Sequence, residues 1–409
     1  MVNEYFKIVD YGGTLEYYIF ELANFSALSF PLLIIYKLGF INTNSFIVWL
    51  ALFFSPLVFN YFLFSPGLFG DQFMYARELI AQKSTLDSNE ITSSLWSSGQ
   101  INSVSLSAKI LGLIPLANFM TVTALAFTNK LILFLTFLWF KGLFKNENEN
   151  EVLLFFLIPS LVLYSSMALR DTLVIVISII FIINLIRGRA LLPILLLFPL
   201  AILKIQMFAI LSLYLVAHLI FQAHRGKYLF SLFIFILTII TVIYEEAILS
   251  TLNLYRVAFI AEDFVAFDGS RSYQAWNLYG AEDVEALRIQ SMFEAIYLSV
   301  LKLPILLLMP MPWNWSNIFY PMQSIESCIL IYLYLKLSFD NKMYENSEFI
   351  LLTFILLIGL SVYALIMANE GTFVRYRFAL YYPFLLGLLY LARKSSQDTQ
   401  IFHQRTPSN

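Results

Sequence analysis

The sequence predicts an all-α, polytopic transmembrane helix bundle, and three observations carry that expectation. Hydrophobic residues make up 60% of the 409 and charged residues only 13%, with a mean hydropathy of +0.76. Soluble domains run at about half apolar and about a quarter charged. The apolar residues also fall in runs of bilayer-crossing length, and short basic turns alternate with those runs, as cytoplasmic loops do.

A bilayer core needs about 20 apolar residues, fewer where a helix is embedded among others. Runs over residues 18–36, 46–64, 131–144, 152–169, 172–186, 190–203, 207–221, 228–244, 318–335, 349–368 and 378–392 therefore give about eleven spans. Residues 110–127 and 292–311 are also apolar, and counting both as spans gives up to about thirteen.

Charge bears on the choice. The basic turns are Lys141/Lys145, Arg187-Gly188-Arg189, His224-Arg225-Gly226-Lys227, Lys336/Lys342 and Arg393-Lys394. All of them lie in the cytoplasm only if neither extra stretch changes the side of the chain. The expectation is then one integral membrane domain, 1–409, with two large external loops, 65–130 and 245–317, carrying interfacial or re-entrant helices. Glu294, Lys302 and Pro304 interrupt the second stretch, and Trp313 and Trp315 follow it, as tryptophans do at a membrane–water boundary. In the competing arrangement both stretches are true spans.

Other classes drop away. Net charge is −2, and no basic block suggests nucleic acid. Cys328 stands alone, which leaves no disulfide framework and no cysteine metal site. Residues 1–17 carry Glu4, Asp10 and Glu16 and no basic segment before an apolar core, unlike a cleaved signal peptide, so the first span is expected to direct insertion. There is no soluble domain, linker or internal repeat. No phosphate-binding loop, zinc-ligand spacing or dinucleotide fingerprint occurs, and histidines number three. No cofactor is expected, and chemistry is left to carboxylates, arginines, tyrosines and backbone.

Four cations at the ends of apolar runs lie on the face opposite the basic turns: Arg170, Lys204, Arg375 and Arg377. They oppose the usual charge bias, and an anionic lipid-linked sugar gives them a reason. Arg170 ends Pro159-Ser160-Leu161-Val162-Leu163-Tyr164-Ser165-Ser166-Met167-Ala168-Leu169-Arg170-Asp171, in a turn short enough to lie at the membrane surface. Its guanidinium can clamp phosphate oxygens with two donors; pairing with Asp171 or anchoring to headgroups is the alternative. In Asn369-Glu370-Gly371-Thr372-Phe373-Val374-Arg375-Tyr376-Arg377, a turn at Gly371 and a helix starting near Arg375 would aim backbone N–H groups and two guanidiniums at an anion. Snorkelling is the alternative there. Lys204, in Leu203-Lys204-Ile205-Gln206, counts because it shares the face.

Candidate bases come from three places. Asp71, in Pro66-Gly67-Leu68-Phe69-Gly70-Asp71-Gln72, sits at the mouth of the bundle with Tyr75 one turn on and Glu78 two turns on. A shielded carboxylate there could take a proton from a sugar hydroxyl; capping a helix over 72–82 is the alternative role. Glu326 is the third carboxylate, better placed to pair an arginine than to act as a base. Tyr75, Trp313, Trp315 and Tyr376 are candidate sugar-stacking rings, with plain interfacial anchoring as the alternative for the tryptophans.

These stretches together resemble bacterial surface-polysaccharide polymerases, the O-antigen polymerases of the Wzy type, and related GT-C membrane glycosyltransferases. The likeness rests on Gly70-Asp71 with Tyr75-Ala76, on Pro159-Ser160 through Leu169-Arg170-Asp171, on Pro310-Met311-Pro312-Trp313, and on Asn369 with Gly371-Thr372 and Arg375-Tyr376-Arg377. Lys204 stands where such proteins tend to carry arginine, and Asn314 where an acidic residue is more usual. The resemblance implies a GT-C-like fold in the bacterial inner membrane and metal-independent inverting transfer at the periplasmic face. The substrates implied are undecaprenyl-diphosphate-linked oligosaccharides, as in lipopolysaccharide assembly, with membrane lipids and other polysaccharide-assembly membrane proteins as partners. A GT-C enzyme using a polyprenyl-phosphate sugar donor is an alternative. So is a flippase or transporter for the same glycans. Transporters bury charges or broken helices near mid-membrane, whereas most spans here are charge-free, with Glu21 the main exception, which favours an enzyme.

Overall fold

The computed structural model describes residues 15–63, 72, 74–76, 78, 98–112, 122–144, 149–222, 231, 235, 236, 239, 241–266, 288–311, 319–340, 343–366 and 370–405. Among the described residues all regular structure is helical, with no strand. In chain order the helices are α1 Leu15–Lys37, α2 Thr43–Leu57 with a π-helical continuation Val58–Leu63, α3 Ser98–Leu111, α4 Val122–Lys141, α5 Glu149–Phe156, α6 Pro159–Ser165 and α7 Asp171–Ile186. They continue as α8 Leu191–Leu203, α9 Ile205–Gln222, α10 Glu245–Ala266, α11 Met292–Leu308, α12 Phe319–Asp340, α13 Ser347–Ile366 and α14 Glu370–Arg405.

Four of them are long and apolar enough to cross a bilayer: Thr43–Asn60, Thr123–Lys141, Ile205–Gln222 and Ser347–Ile366. Two shorter apolar helices, Asp171–Ile186 and Leu191–Leu203, accompany them. Among the described residues that is compatible with a membrane protein.

Several boundaries differ from the sequence reading. The run 152–169 is not one span but α5 and α6, broken before Pro159. Proline has no N–H to donate and drives its predecessor out of the helical region, and Ile158 is at φ −57°, ψ 127°. The run 110–127 is likewise no single element: α3 ends at Leu111 and α4 begins at Val122. Lys130, expected to close an external loop, lies buried inside α4, so the span expected over 131–144 moves to Thr123–Lys141. The segment expected to lie outside, 245–317, opens with the 22-residue helix α10. The last helix starts at Glu370, not near Arg375.

The chain forms two compact units, Met1–Ile177 with Phe198–Met207, and Ser178–Leu197 with Phe208–Asn409. In the first, α1, α2 and α4 pack on one another, and α5 and α6 pack on α2 and α4. Their core is aromatic: the buried Trp49 ring lies 5.0 Å from Phe134 and 5.4 Å from Phe137, and Phe156 closes on Phe137 at 5.4 Å. Gly39 ends α1 at φ 75°, which lets the N–H of Phe40 reach back to the Ile35 carbonyl at 3.1 Å.

In the second unit α13 packs against α10, α11 and α14, and α12 against α11 and α14. Two glycines permit close approach. A Cβ on Gly359 would stand 2.7 Å from Leu380, and one on Gly387 would stand 2.6 Å from Ile182. Helix α11 begins with reciprocal capping: Ser291 Oγ accepts from the Glu294 N–H at 3.2 Å, and Glu294 accepts from the Gln290 N–H at 2.8 Å.

Candidate functional site

The first unit gathers polar groups around an interrupted helix. Between α6 and α7 the chain leaves helical geometry over residues 166–170, although Met167, Ala168 and Leu169 are fully buried. A buried irregular backbone must find partners outside itself. Asn129 Nδ2 donates to the Met167 carbonyl at 2.8 Å and to the Leu169 carbonyl at 2.9 Å. The Ala168 N–H donates to Gln72 Oε1 at 2.9 Å, and Asn60 Nδ2 donates to the Ser166 carbonyl at 3.0 Å. Lys130 caps the end of α6, its Nζ donating to the Val162 carbonyl at 3.0 Å and to Ser165 Oγ at 2.8 Å.

Immediately after this segment stand Arg170 and Asp171. Asp171 Oδ1 meets Lys204 Nζ at 3.2 Å, and both side chains are 3% exposed. Lys204 occupies the single non-helical position between α8 and α9, so two helix interruptions meet through one ion pair. Half-buried Arg170 donates from Nη1 to Ser103 Oγ of α3. Ser103 in turn donates to the Leu203 carbonyl at 3.2 Å, which ties the arginine to the residue before Lys204. Tyr75 and Glu78 are buried in the same unit. Asp71 lies outside the described residues.

The second unit holds Arg375, Tyr376, Arg377 and Glu326. Because α14 begins at Glu370, both arginines sit beyond the first turn, and the open N–H groups of that helix end belong to residues ahead of them. The expected juxtaposition of those N–H groups with the guanidiniums is therefore corrected. Arg377 is buried, and its Nη1 donates to the carbonyls of Leu306, Leu307 and Met309 at 2.8, 2.9 and 2.8 Å. It caps the C-terminus of α11, where a cation complements the helix dipole. Ser327 Oγ also donates to the Met309 carbonyl at 3.0 Å, and Ser324 Oγ donates to that of Pro310. The chain entering Pro310-Met311 is thus held from α12 and α14 together.

Buried Glu326 precedes Ser327 on α12. Arg375 and Tyr376 are half-buried, and the Tyr376 ring meets Tyr363 edge-on at 5.6 Å. Trp313 and Trp315 lie outside the described residues.

Two further cations in this unit were not among the candidate site residues. Arg256 of α10 is buried and donates to the Leu365 carbonyl at 3.0 Å, near the end of α13. Lys302 of α11 is buried beside it; burial, and then the Arg256 charge, lowers its pKa from 10.5 to about 7. A basic residue inside an apolar stretch is a visible signal, but its partner, a carbonyl at another helix end, has none. Asn129 and Lys130 gave the clearest signal missed, two polar residues in succession within an apolar run.

The four cations picked out by sequence thus sort into two kinds. Lys204 and Arg377 are buried and engaged with Asp171 and with a helix end. Arg170, adjacent to Asp171, and Arg375, two residues before Arg377, are half-buried. Comparison with known proteins finds no matching family model, no matching curated protein and no matching solved structure.

Proposed function

We propose that the protein is a surface-polysaccharide polymerase of the bacterial inner membrane, joining undecaprenyl-diphosphate-linked oligosaccharide repeats at the periplasmic face. Its fold on this reading is GT-C-like, with about eleven spans. The observation that carries the reading is the half-buried Arg170 held on Ser103 beside the buried Asp171–Lys204 pair. A guanidinium fixed at a helix interruption by hydrogen bonds is preorganised for a phosphate, and preorganised charge is what stabilises a departing diphosphate without reorganisation.

The transfer is an inverting displacement without metal. An acceptor hydroxyl oxygen attacks the anomeric carbon of the donor sugar, and the bond from that carbon to the diphosphate oxygen breaks. The electron pair leaves with undecaprenyl diphosphate, whose charge Arg170 holds. The hydroxyl proton passes to a carboxylate. Asp71 is the first choice, and the burial of Glu78 and Glu326 suits them to support rather than to direct exchange with substrate. Lys204 and Arg377 hold the frame. Tyr75, Tyr376, Trp313 and Trp315 are the candidate sugar-stacking rings.

A second reading has its own observation. Lys130 is fully buried within the span Thr123–Lys141, at an interrupted helix. Transporters place charges and broken helices inside the bilayer, and this weakens the argument from charge-free spans. A flippase for the same glycans, and a transferase moving one sugar from a polyprenyl phosphate, are the alternatives.

Glycan length in the native host separates them, comparing wild type with Arg375→Ala and Asp71→Ala at matched protein levels. Single repeats left on the carrier or on lipid A support polymerisation. Complete repeats trapped on the cytoplasmic side indicate a flippase, and incomplete lipid-linked units a single-sugar transferase. Unchanged chain length in both variants would overturn the site assignment.

A further inference from the structure

Resting on the phosphate reading of Arg170, we propose that Asn129 and Gln72 are positioning residues, which hold residues 167–169 so that Arg170 is presented to a polyprenyl diphosphate. The backbone there is neither helix nor strand, so nothing periodic fixes its direction. Asn129 replaces that order with two hydrogen bonds, to the carbonyls three and one residues before Arg170. The Leu169 carbonyl belongs to the same planar peptide unit as the Arg170 nitrogen. Fixing that oxygen therefore fixes the plane from which the arginine departs. Gln72 holds the peptide two back from the other side, accepting from the Ala168 N–H of the unit whose Met167 carbonyl Asn129 also binds.

Both amides are buried, Asn129 completely. Their orientation is set by chemistry, because turning the Asn129 amide over would bring its oxygen against two carbonyl oxygens. In the observed orientation Asn129 Oδ1 is buried without a hydrogen-bond partner. An unmet buried acceptor is a poor device for stability alone, and the donor pair on the Arg170 segment supplies the other reason to keep an amide there. Gln72 also neighbours the candidate base Asp71 in the chain. One hydrogen bond thus links the stretch bearing the base to the segment bearing the clamp.

The test uses the full chain in lipid nanodiscs, with farnesyl diphosphate as the probe and farnesol as the control for the tail. Asn129→Leu is expected to weaken farnesyl diphosphate binding by about tenfold or more, the scale of a displaced binding group, and to leave farnesol binding unchanged. Gln72→Leu should act in the same direction, whereas Gln72→Glu, which keeps an acceptor for the Ala168 N–H, should restore affinity. A purely structural role would lower the melting temperature and leave the affinity of the folded protein intact.

Arg170→Ala separates the failures. If it loses diphosphate affinity while Asn129→Leu and Gln72→Leu keep theirs, the positioning proposal is wrong and the phosphate reading stands. If Arg170→Ala itself binds as wild type, the phosphate reading falls and takes this inference with it. Should Asn129→Leu not fold, the Gln72 pair decides: equal affinity in Gln72→Leu and Gln72→Glu overturns the proposal.

Discussion

Lys204 and Asp171, 33 residues apart, form an ion pair at 3.2 Å with both side chains almost fully withdrawn from solvent. Each sits at a helix interruption, so the pair joins the start of α7 to the gap between α8 and α9. Removing one partner of a buried pair leaves a charge without compensation and costs about 3–5 kcal/mol. Lys204→Met alone should therefore lower unfolding stability by about that amount. The double variant Lys204→Met with Asp171→Leu should recover most of it, because apolar replacements of similar volume dispense with desolvation. Denaturation of the nanodisc-reconstituted protein checks both.

Arg375 and Arg377 should separate by phenotype. Arg377 satisfies three carbonyls at the end of α11, and its loss leaves buried acceptors unmet. Arg377→Met is expected to cost about 3 kcal/mol of stability. Lysine should restore little of it, since a point charge on a flexible stem does not reproduce a guanidinium. Half-buried Arg375 should tolerate alanine within about 1 kcal/mol. On the polymerase reading, the same Arg375→Ala change should slow glycan transfer about a hundredfold, the scale of removing one donor to the developing charge. Melting curves and glycan length, measured on the same two variants, give the comparison.

The helical class was legible in composition and run length, because burying backbone in a bilayer leaves helix as the economical solution. The interruption before Pro159 was missed, because the apolar run 152–169 continues through it and reads as one span. The break at Lys204 was legible as a charge between the apolar runs 190–203 and 207–221, whereas residues 166–170 are held out of helix by Asn60, Gln72 and Asn129, which come from distant parts of the chain. Likewise Arg170 and Lys204 were recognisable as unusual cations, but Asp171 read as a partner for its neighbour Arg170, and nothing local to Lys204 names it as that residue's partner. Arg377 read as a ligand for anions because its carbonyl partners lie about seventy residues away.

Lys302 gives the protein a pH-dependent stability with a definite sign. Burial, and then Arg256, hold its pKa at about 7 in the fold against 10.5 in the open chain. Between those values the unfolded chain binds a proton that the folded chain does not, so stability rises with pH across that window. Below about pH 7 the ammonium must be charged inside the fold, and the contribution is at its least favourable. Lys302→Met should flatten the dependence between pH 7 and pH 10.5, measured as unfolding midpoint against pH at constant ionic strength.

The number of spans can be settled by comparing Gln290 with Asn346. With α11 interfacial, one span, 318–335, separates them, and they face opposite sides. With α11 spanning, two crossings separate them, and they face the same side. Helix α11 has 17 residues, about 25 Å at 1.5 Å per residue, short for an upright span and long enough to lie in the interface. In a Cys328→Ser background, Gln290→Cys should react with a membrane-impermeant maleimide in intact cells, and Asn346→Cys only after permeabilisation. Lys336 and Lys342 place Asn346 inside by the charge rule under either count. Protection of both cysteines until the membrane is opened would establish the higher count and move α11 into the bilayer.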